Sequence, residues 1–227
     1  MKNKSIGIII AHPDDEVLGF GGTILRHIAE GDKVNILFLS TGLASRNNST
    51  NQKDISKLRE VANNVSKALG AENTVFEDFP DNQMDSVTLL SVIKKVENFI
   101  NLYNTNIIYT HYINDLNIDH NIVSRAVLTA SRPLPSSVIK KVYFGETLSS
   151  SEYTIFNKKF QPNTYFDIEK YLEKKLSILN MYKDELREWP HPRSQRAVKN
   201  LAEVRGSEVG LKAAEAFILV RDVKKII

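Results

Sequence analysis

The chain has 227 residues, 42% apolar and 25% charged, a balance that suits a globular α/β protein with a sizeable core. A formal net charge of +3, with lysines in isolated pairs such as Lys140-Lys141 and Lys174-Lys175, excludes a basic stripe for nucleic acid. The absence of cysteine excludes disulfides, thiolate metal sites and a cysteine nucleophile, so any metal must be held by His, Asp or Glu. The apolar run from Ile6 to Ala11 is too short for a signal segment or a bilayer span, and no longer one follows. The expectation is a cytoplasmic chain without a transmembrane segment, and nothing in it opposes a homo-oligomer.

Ser5 to Ala11, rich in β-branched residues, predicts a strand buried on both faces, ended by His12-Pro13. Gly19 to Gly22 reads as a turn, and Thr23 to Glu30 as a helix stopped by Gly31. Lys33 to Leu39 is a second strand, closed by Ser40-Thr41-Gly42, after which Ser45 to Gln52 is polar and reads as a mobile loop. A helix follows over Asp54 to Leu69, then a short strand over Thr74 to Phe76. Another helix runs from Ser86, its N-cap, to Tyr103, before a fourth strand over Asn106 to Thr110. Asp119 to Ser131 is helical and Lys141 to Gly145 a fifth strand. Beyond Glu146 the pattern loosens into a strand near Tyr165 to Ile168, a helix over Glu169 to Trp189, a break at Pro190-His191-Pro192, a helix over Ser194 to Arg205 and a strand over Ala216 to Val220.

This alternation predicts an α/β fold with a right-handed, doubly wound parallel sheet. A single domain over 1–227 is expected, with its core in 1–145 and the elements of 146–227 packed over the site as a cap. The aromatic residues Tyr153, Phe156, Tyr165 and Trp189 in that cap are expected to fill core. Ligands of such sheets sit beyond the carboxyl ends of the strands, which gathers His12 to Glu16, Ser40 to Arg46 and His111 to His120.

His12-Pro13-Asp14-Asp15 is good turn chemistry by itself. Its place at the end of a buried strand, with Asp115-Leu116-Asn117-Ile118-Asp119-His120 at the same sheet edge, points to more. Catalytic zinc takes three protein ligands of His and carboxylate type and leaves a position for water. His12, Asp15 and His120 are the candidate ligands of a zinc ion. Adjacent side chains in a turn point different ways, so Asp14 is free to act as general base towards the zinc-bound water. Glu16 and Asp119 are candidates to support the ligand histidines, Asp119 beside His120.

Ala11-His12-Pro13-Asp14-Asp15-Glu16, with Gly21-Gly22-Thr23 behind it, resembles the first motif of the PIG-L/LmbE-type N-acetylglucosaminyl deacetylases. Asp115 to His120 resembles the second, and the later His191-Pro192-Arg193-Ser194 resembles one branch of the family. The resemblance is clear from residue 5 to about 130. It implies a Rossmann-like three-layer fold with a mostly parallel sheet, one zinc ion (Zn2+) per chain, and the same zinc ligands and base at His12, Asp15, His120 and Asp14. It also implies hydrolysis of an acetyl or other N-acyl group on an amino sugar or its conjugate.

One position departs from the pattern. Where many members carry a His that stabilises the oxyanion, this chain has Asn117, which donates a hydrogen bond but no proton to a leaving amine. His111, just after the fourth strand, and His191, held between two prolines, are the candidates for that task. Arg46, Asn117 and Arg193 are the candidate substrate contacts. The competing readings are a metal-dependent phosphoesterase, for which the carboxylate supply looks thin, and a non-catalytic sugar-binding protein, for which Asp14 would be superfluous.

Overall fold

The computed structural model describes residues 3–40, 42, 52–154 and 159–224. Arg46, Thr41, Phe156 and the polar stretch expected to be mobile, up to residue 51, lie outside the described residues. The chain runs β1 (Ser5–Ile10), α1 (Asp15–Ala29), β2 (Lys33–Ser40), α2 (Gln52–Leu69), β3 (Asn73–Phe79), α3 (Leu89–Leu102), β4 (Ile107–His111), α4 (Ile118–Ala130), β5 (Lys141–Gly145), β6 (Thr164–Asp167), α5 (Leu172–Leu179), α6 (Gln195–Ser207) and β7 (Ala214–Asp222). These strands form one sheet in the order β3-β2-β1-β4-β5-β7-β6. The first five pair in parallel, and β7 runs antiparallel to both its neighbours. The fold is therefore α/β with a mostly parallel sheet.

The alternating side chains of β1 feed two cores. Ile6, Ile8 and Ile10 pack with α1, α2, α5 and α6 on one face, while Ile9 and Ala11 pack with α3 and α4 on the other. Both faces being covered is what makes β1 apolar throughout. Chain order reverses direction between β1 and β4, and there the carboxyl ends of neighbouring strands splay to make a crevice.

Several expectations need correction. Gly19 to Gly22 is no turn but the middle of α1, which runs unbroken from Asp15. The glycines admit neighbours: a Cβ on Gly22 would lie 2.7 Å from the Ile168 side chain. A buried ion pair also enters this helix. Glu215 accepts from the amides of Gly22 (2.8 Å) and Thr23 (2.7 Å), and Lys175 donates to the Leu18 carbonyl (2.9 Å) and to Glu215 (2.7 Å). The helix expected over Glu169 to Trp189 shrinks to α5, because the chain turns after Leu179. Ser86 ends a short 3₁₀ turn, and Thr88 caps α3 instead.

The elements of residues 146–227 include β6 and β7, so part of that region extends the sheet. Its aromatic residues are not all core. Tyr153 and Trp189 are 46% and 48% exposed, and Arg196 lies over the Trp189 ring.

Candidate functional site

The site begins where β1 ends. Asp14 is the N-cap of α1, and its carbonyl accepts from the amides of Val17 (3.1 Å) and Leu18 (3.0 Å). Its φ of 108° lies in the region that favours glycine. This turn separates two adjacent carboxylates, as the sequence required. Asp15 Oδ2 accepts the His12 amide at 2.8 Å and faces the histidines, while Asp14 Oδ2 lies 3.2 Å from Arg193 Nη1.

Asp15 Oδ2 is 3.4 Å from His12 Nδ1 and 3.4 Å from His120 Nε2. Zinc bonds of about 2.0–2.2 Å in a tetrahedron put neighbouring ligand atoms about 3.4 Å apart, so this spacing suits the metal. Asp15 Oδ1 is buried and has no hydrogen-bond partner among the described residues. An unpartnered buried carboxylate oxygen beside two imidazole nitrogens is the donor chemistry that a small dication satisfies. The residues present therefore fit a metal.

Each of these histidines is aimed by a carboxylate on its other nitrogen. His12 Nε2 lies 2.9 Å from Asp119 Oδ2 and 3.1 Å from Asp81 Oδ1. His120 Nδ1 lies 3.3 Å from Asp115 Oδ1. A carboxylate there favours the N–H on the far side of the ring and leaves the near nitrogen able to act as a ligand. Asp119 is locked in turn by the amides of Asn82 (2.7 Å) and Met84 (3.0 Å), and Asp115 by Ser150 Oγ (3.1 Å), Ser151 Oγ and the Asn117 amide (2.9 Å). Asp119 thus serves His12 and not its sequence neighbour His120, because the first turn of α4 points the two side chains to different sides.

The electrostatics follow from burial and these pairs. Burial alone would lower His120, but Asp15 and Asp115 outweigh it and raise its pKa to about 9. Burial likewise opposes the charge on His12, and Asp119, Asp15 and Asp81 hold it well above the usual histidine value. Burial would raise Asp15, but His120, His111 and His12 keep it well below the carboxylate range. The cluster favours positive charge, as proton or as metal ion. Burial pushes Asp14 up to about 6, against the pull of Arg193.

Some expected roles are not supported by the geometry. Burial, and next the charge of His120, push His111 down to about 3, so it is neutral at ordinary pH. Its ring stacks on His120 at 3.7 Å, its Nε2 accepts the Ala11 amide at 2.9 Å, and Nδ1 faces Thr147 Oγ1 at 3.4 Å. It is no histidinium donor but a plate behind His120. His191 is exposed, and its Nδ1 accepts the Arg193 amide at 3.0 Å. Among the described contacts it touches neither Asp14 nor the cluster of His12, Asp15 and His120; it shapes the turn that presents Arg193. Asn117 caps α4, its Oδ1 accepting from the amides of Asp119 and His120 and its Nδ2 donating to Asn82. That side chain is committed to the scaffold. Arg193 reaches the site, but onto Asp14, with Nε bound to Ser149 Oγ at 2.8 Å and Nη1 near Glu185 at 3.4 Å. Glu16 supports Asp14 and not a histidine, accepting the Asp14 amide at 3.0 Å.

Asp81 and Tyr182 were not foreseen. Asp81 carried a readable signal, since it follows β3 at the same carboxyl edge. Tyr182, whose hydroxyl donates to Glu16, comes from the turns after α5 and had none.

Comparison with known proteins adds the lineage. The uncharacterized deacetylase YaiS of Escherichia coli (strain K12) is 30% identical over 139 residues, 59% of this chain and 71% of YaiS. Among solved structures, the N,N′-diacetylchitobiose deacetylase of Pyrococcus horikoshii aligns with a TM-score of 0.79 at 16% identity, over 97% of this chain and 85% of its own. The 4-carboxy-2-hydroxymuconate hydratase GalB of Pseudomonas putida KT2440 aligns with a TM-score of 0.75 at 19% identity, over 99% and 100%. Likeness at that identity speaks for the fold alone, and GalB is by name a hydratase. The family match is more telling. Residues 8–131 fit the family described as PIG-L, GlcNAc-PI de-N-acetylase. That span covers more than half of the chain and holds His12, Asp14, Asp15 and His120, so the chain belongs to the PIG-L family.

Proposed function

We propose that this chain is a zinc-dependent deacetylase that hydrolyses the N-acyl group of an amino sugar or amino-sugar conjugate. The observation that carries the reading is the convergence of His12 Nδ1, Asp15 Oδ2 and His120 Nε2, at 3.4 Å spacings from the carboxylate, next to the separately held Asp14. Membership of the PIG-L family supports the reaction class. His12, Asp15 and His120 would hold the metal, and Asp119, Asp81 and Asp115 keep the two imidazoles aimed at it. When bound, zinc supplies Lewis acidity towards an acyl oxygen and acidifies water.

Asp14 supplies the proton path. Its carboxylate oxygen not turned to Arg193 takes a proton from the attacking water as the new C–O bond forms. The same proton passes to the nitrogen as the C–N bond breaks, giving a free amine and acetic acid, whose remaining proton is lost to solvent. Arg193, tied by Ser149 and Glu185, holds the other oxygen of Asp14 and limits its rotation.

The test is amine release from N-acetylglucosamine, N,N′-diacetylchitobiose and larger acetamido-sugar conjugates, with zinc and after chelation. Zinc-dependent amine from at least one is expected, and loss of most turnover in Asp14→Asn with metal content retained. No amine from any substrate, or near wild-type turnover in Asp14→Asn, overturns the proposal. Because a hydratase shares the fold, water addition without amine release is the outcome that would redirect it.

A further inference from the structure

Glu16 takes no part in the proposed metal or proton chemistry, yet it is fully buried in the first turn of α1. A buried carboxyl destabilises a fold unless its oxygens are used, and an apolar residue would pack there without that cost. Both oxygens of Glu16 are used. Oε2 accepts the Asp14 amide at 3.0 Å, and Oε1 accepts the Tyr182 hydroxyl at 2.5 Å. Tyr182 is itself 1% exposed and stands 166 residues away in sequence.

The amide that Glu16 receives belongs to a residue with φ of 108°. Asp14 keeps such a backbone only if its surroundings over-determine it, and such outliers concentrate where side chains must be aimed. The chain before Asp14 is fixed by β1, and the chain after it by the amides of Val17 and Leu18 on its carbonyl. The amide of Asp14 itself is the remaining handle, and Glu16 holds it inside the protein, with Tyr182 holding Glu16. Relaxation to negative φ would re-aim the Cα–Cβ bond of Asp14 and carry its carboxylate off the line fixed by Arg193.

We propose that Glu16 and Tyr182 are positioning residues of the reaction, which act by clamping the Asp14 amide so that the Asp14 carboxylate stands apart from that of Asp15. The inference rests on Asp14 being the base. Tyr182→Phe removes one hydroxyl from the clamp and leaves the ring in place. Its crystal structure should show the Asp14 carboxylate displaced. Its kcat on the best acetamido sugar should fall about tenfold or more, with KM and zinc content held. In an Asp14→Asn background the same change should cost nothing further. Glu16→Gln keeps an acceptor for the amide and should recover part of what Glu16→Leu loses; if Glu16→Leu does not fold, Tyr182→Phe and Glu16→Gln still decide.

An Asp14 that stays in place in the Tyr182→Phe structure overturns the proposal, as does an equal fold-loss of kcat in both backgrounds. A wild-type protein that releases no amine defeats the proposed function instead, and the position of Asp14 in the variant structure still decides the clamp.

Discussion

Asp119→Ala separates metal affinity from stability in one residue. Asp119 accepts three donors: His12 Nε2 at 2.9 Å and the amides of Asn82 and Met84 at 2.7 and 3.0 Å. Alanine leaves all three without it. The Met84 bond is buried and the Asn82 bond only partly, so water can replace the second more readily. With about 1–3 kcal/mol for a buried donor left unpaired and a smaller loss for the other, the metal-free protein should lose about 3 kcal/mol. At 2–4 °C per kcal/mol for a chain of this length, that lowers the melting temperature by about 6–12 °C. With His12 as the proposed zinc ligand, loss of its outer partner should weaken zinc binding by about 10–100-fold. Melting of the metal-free protein reads the first quantity, and competition with a chromophoric chelator reads the second. Asp119→Asn keeps one acceptor oxygen and should fall between the two proteins in both. Wild-type zinc affinity in Asp119→Ala would refute the assignment of His12 as a ligand aimed by Asp119, whatever happens to the melting temperature.

Three further outcomes follow from the scaffold. Lys175→Met strands Glu215 among the α1 amides and should cost about 3–5 kcal/mol in urea unfolding; a loss below about 1 kcal/mol would mean that the pair is not held as described. Gly22→Ala should lower the melting temperature despite alanine's better helix propensity, because its Cβ meets Ile168 at 2.7 Å; in an Ile168→Ala background, itself destabilised, the same substitution should cost less, and an unchanged single variant refutes the packing. His27 lies between Asp32 (2.8 Å) and the Tyr109 hydroxyl (2.9 Å), and burial lowers its pKa despite the pull of Asp32. The unfolded chain then binds the extra proton first, so stability should fall as pH drops below about 6.5. Because His12, His120 and Asp14 oppose this slope and His111 adds to it, the His27 contribution is read as the difference in unfolding free energy between wild type and His27→Gln, in which wild type should lose ground as pH drops from 8 to 5; a difference that does not change with pH would exclude His27 as its source.

The parallel half of the sheet was legible because both faces of β1 and β2 are covered, which forces unbroken apolar runs such as Ile8-Ile9-Ile10. The acids and histidines were legible for a related reason: short motifs just past such runs fall at the carboxyl edge. The glycines of α1 misled because glycine is ambiguous on its own. It permits a turn, and it also permits close approach by Ile168 and the aliphatic part of Lys175, and only the packing decides. Asn117 misled in a second way. Its capping of α4 is a local property that the preference of Asn for N-caps offered, but the motif drew attention to the substrate instead. The partner of Asp14 was half legible, since Arg193 was singled out but its target was not. Tyr182 was beyond reach, because a contact between segments 166 residues apart leaves no trace in local periodicity.

The position of β7 between β5 and β6 has a consequence for the nascent chain. β6 leaves the ribosome before β7, yet among the described strands it pairs only with β7. Until β7 emerges, β5 presents an open edge of the kind that invites wrong pairing. The same strand carries Glu215, so Lys175 and the amides of Gly22 and Thr23 also wait for it. An interrupted translation product that stops short of Ala214 would contain His12, Asp14, Asp15 and His120 and still lack the clip on the helix that begins at Asp15. Such a fragment should be a substrate for proteases, although every residue of the proposed metal site is already in it.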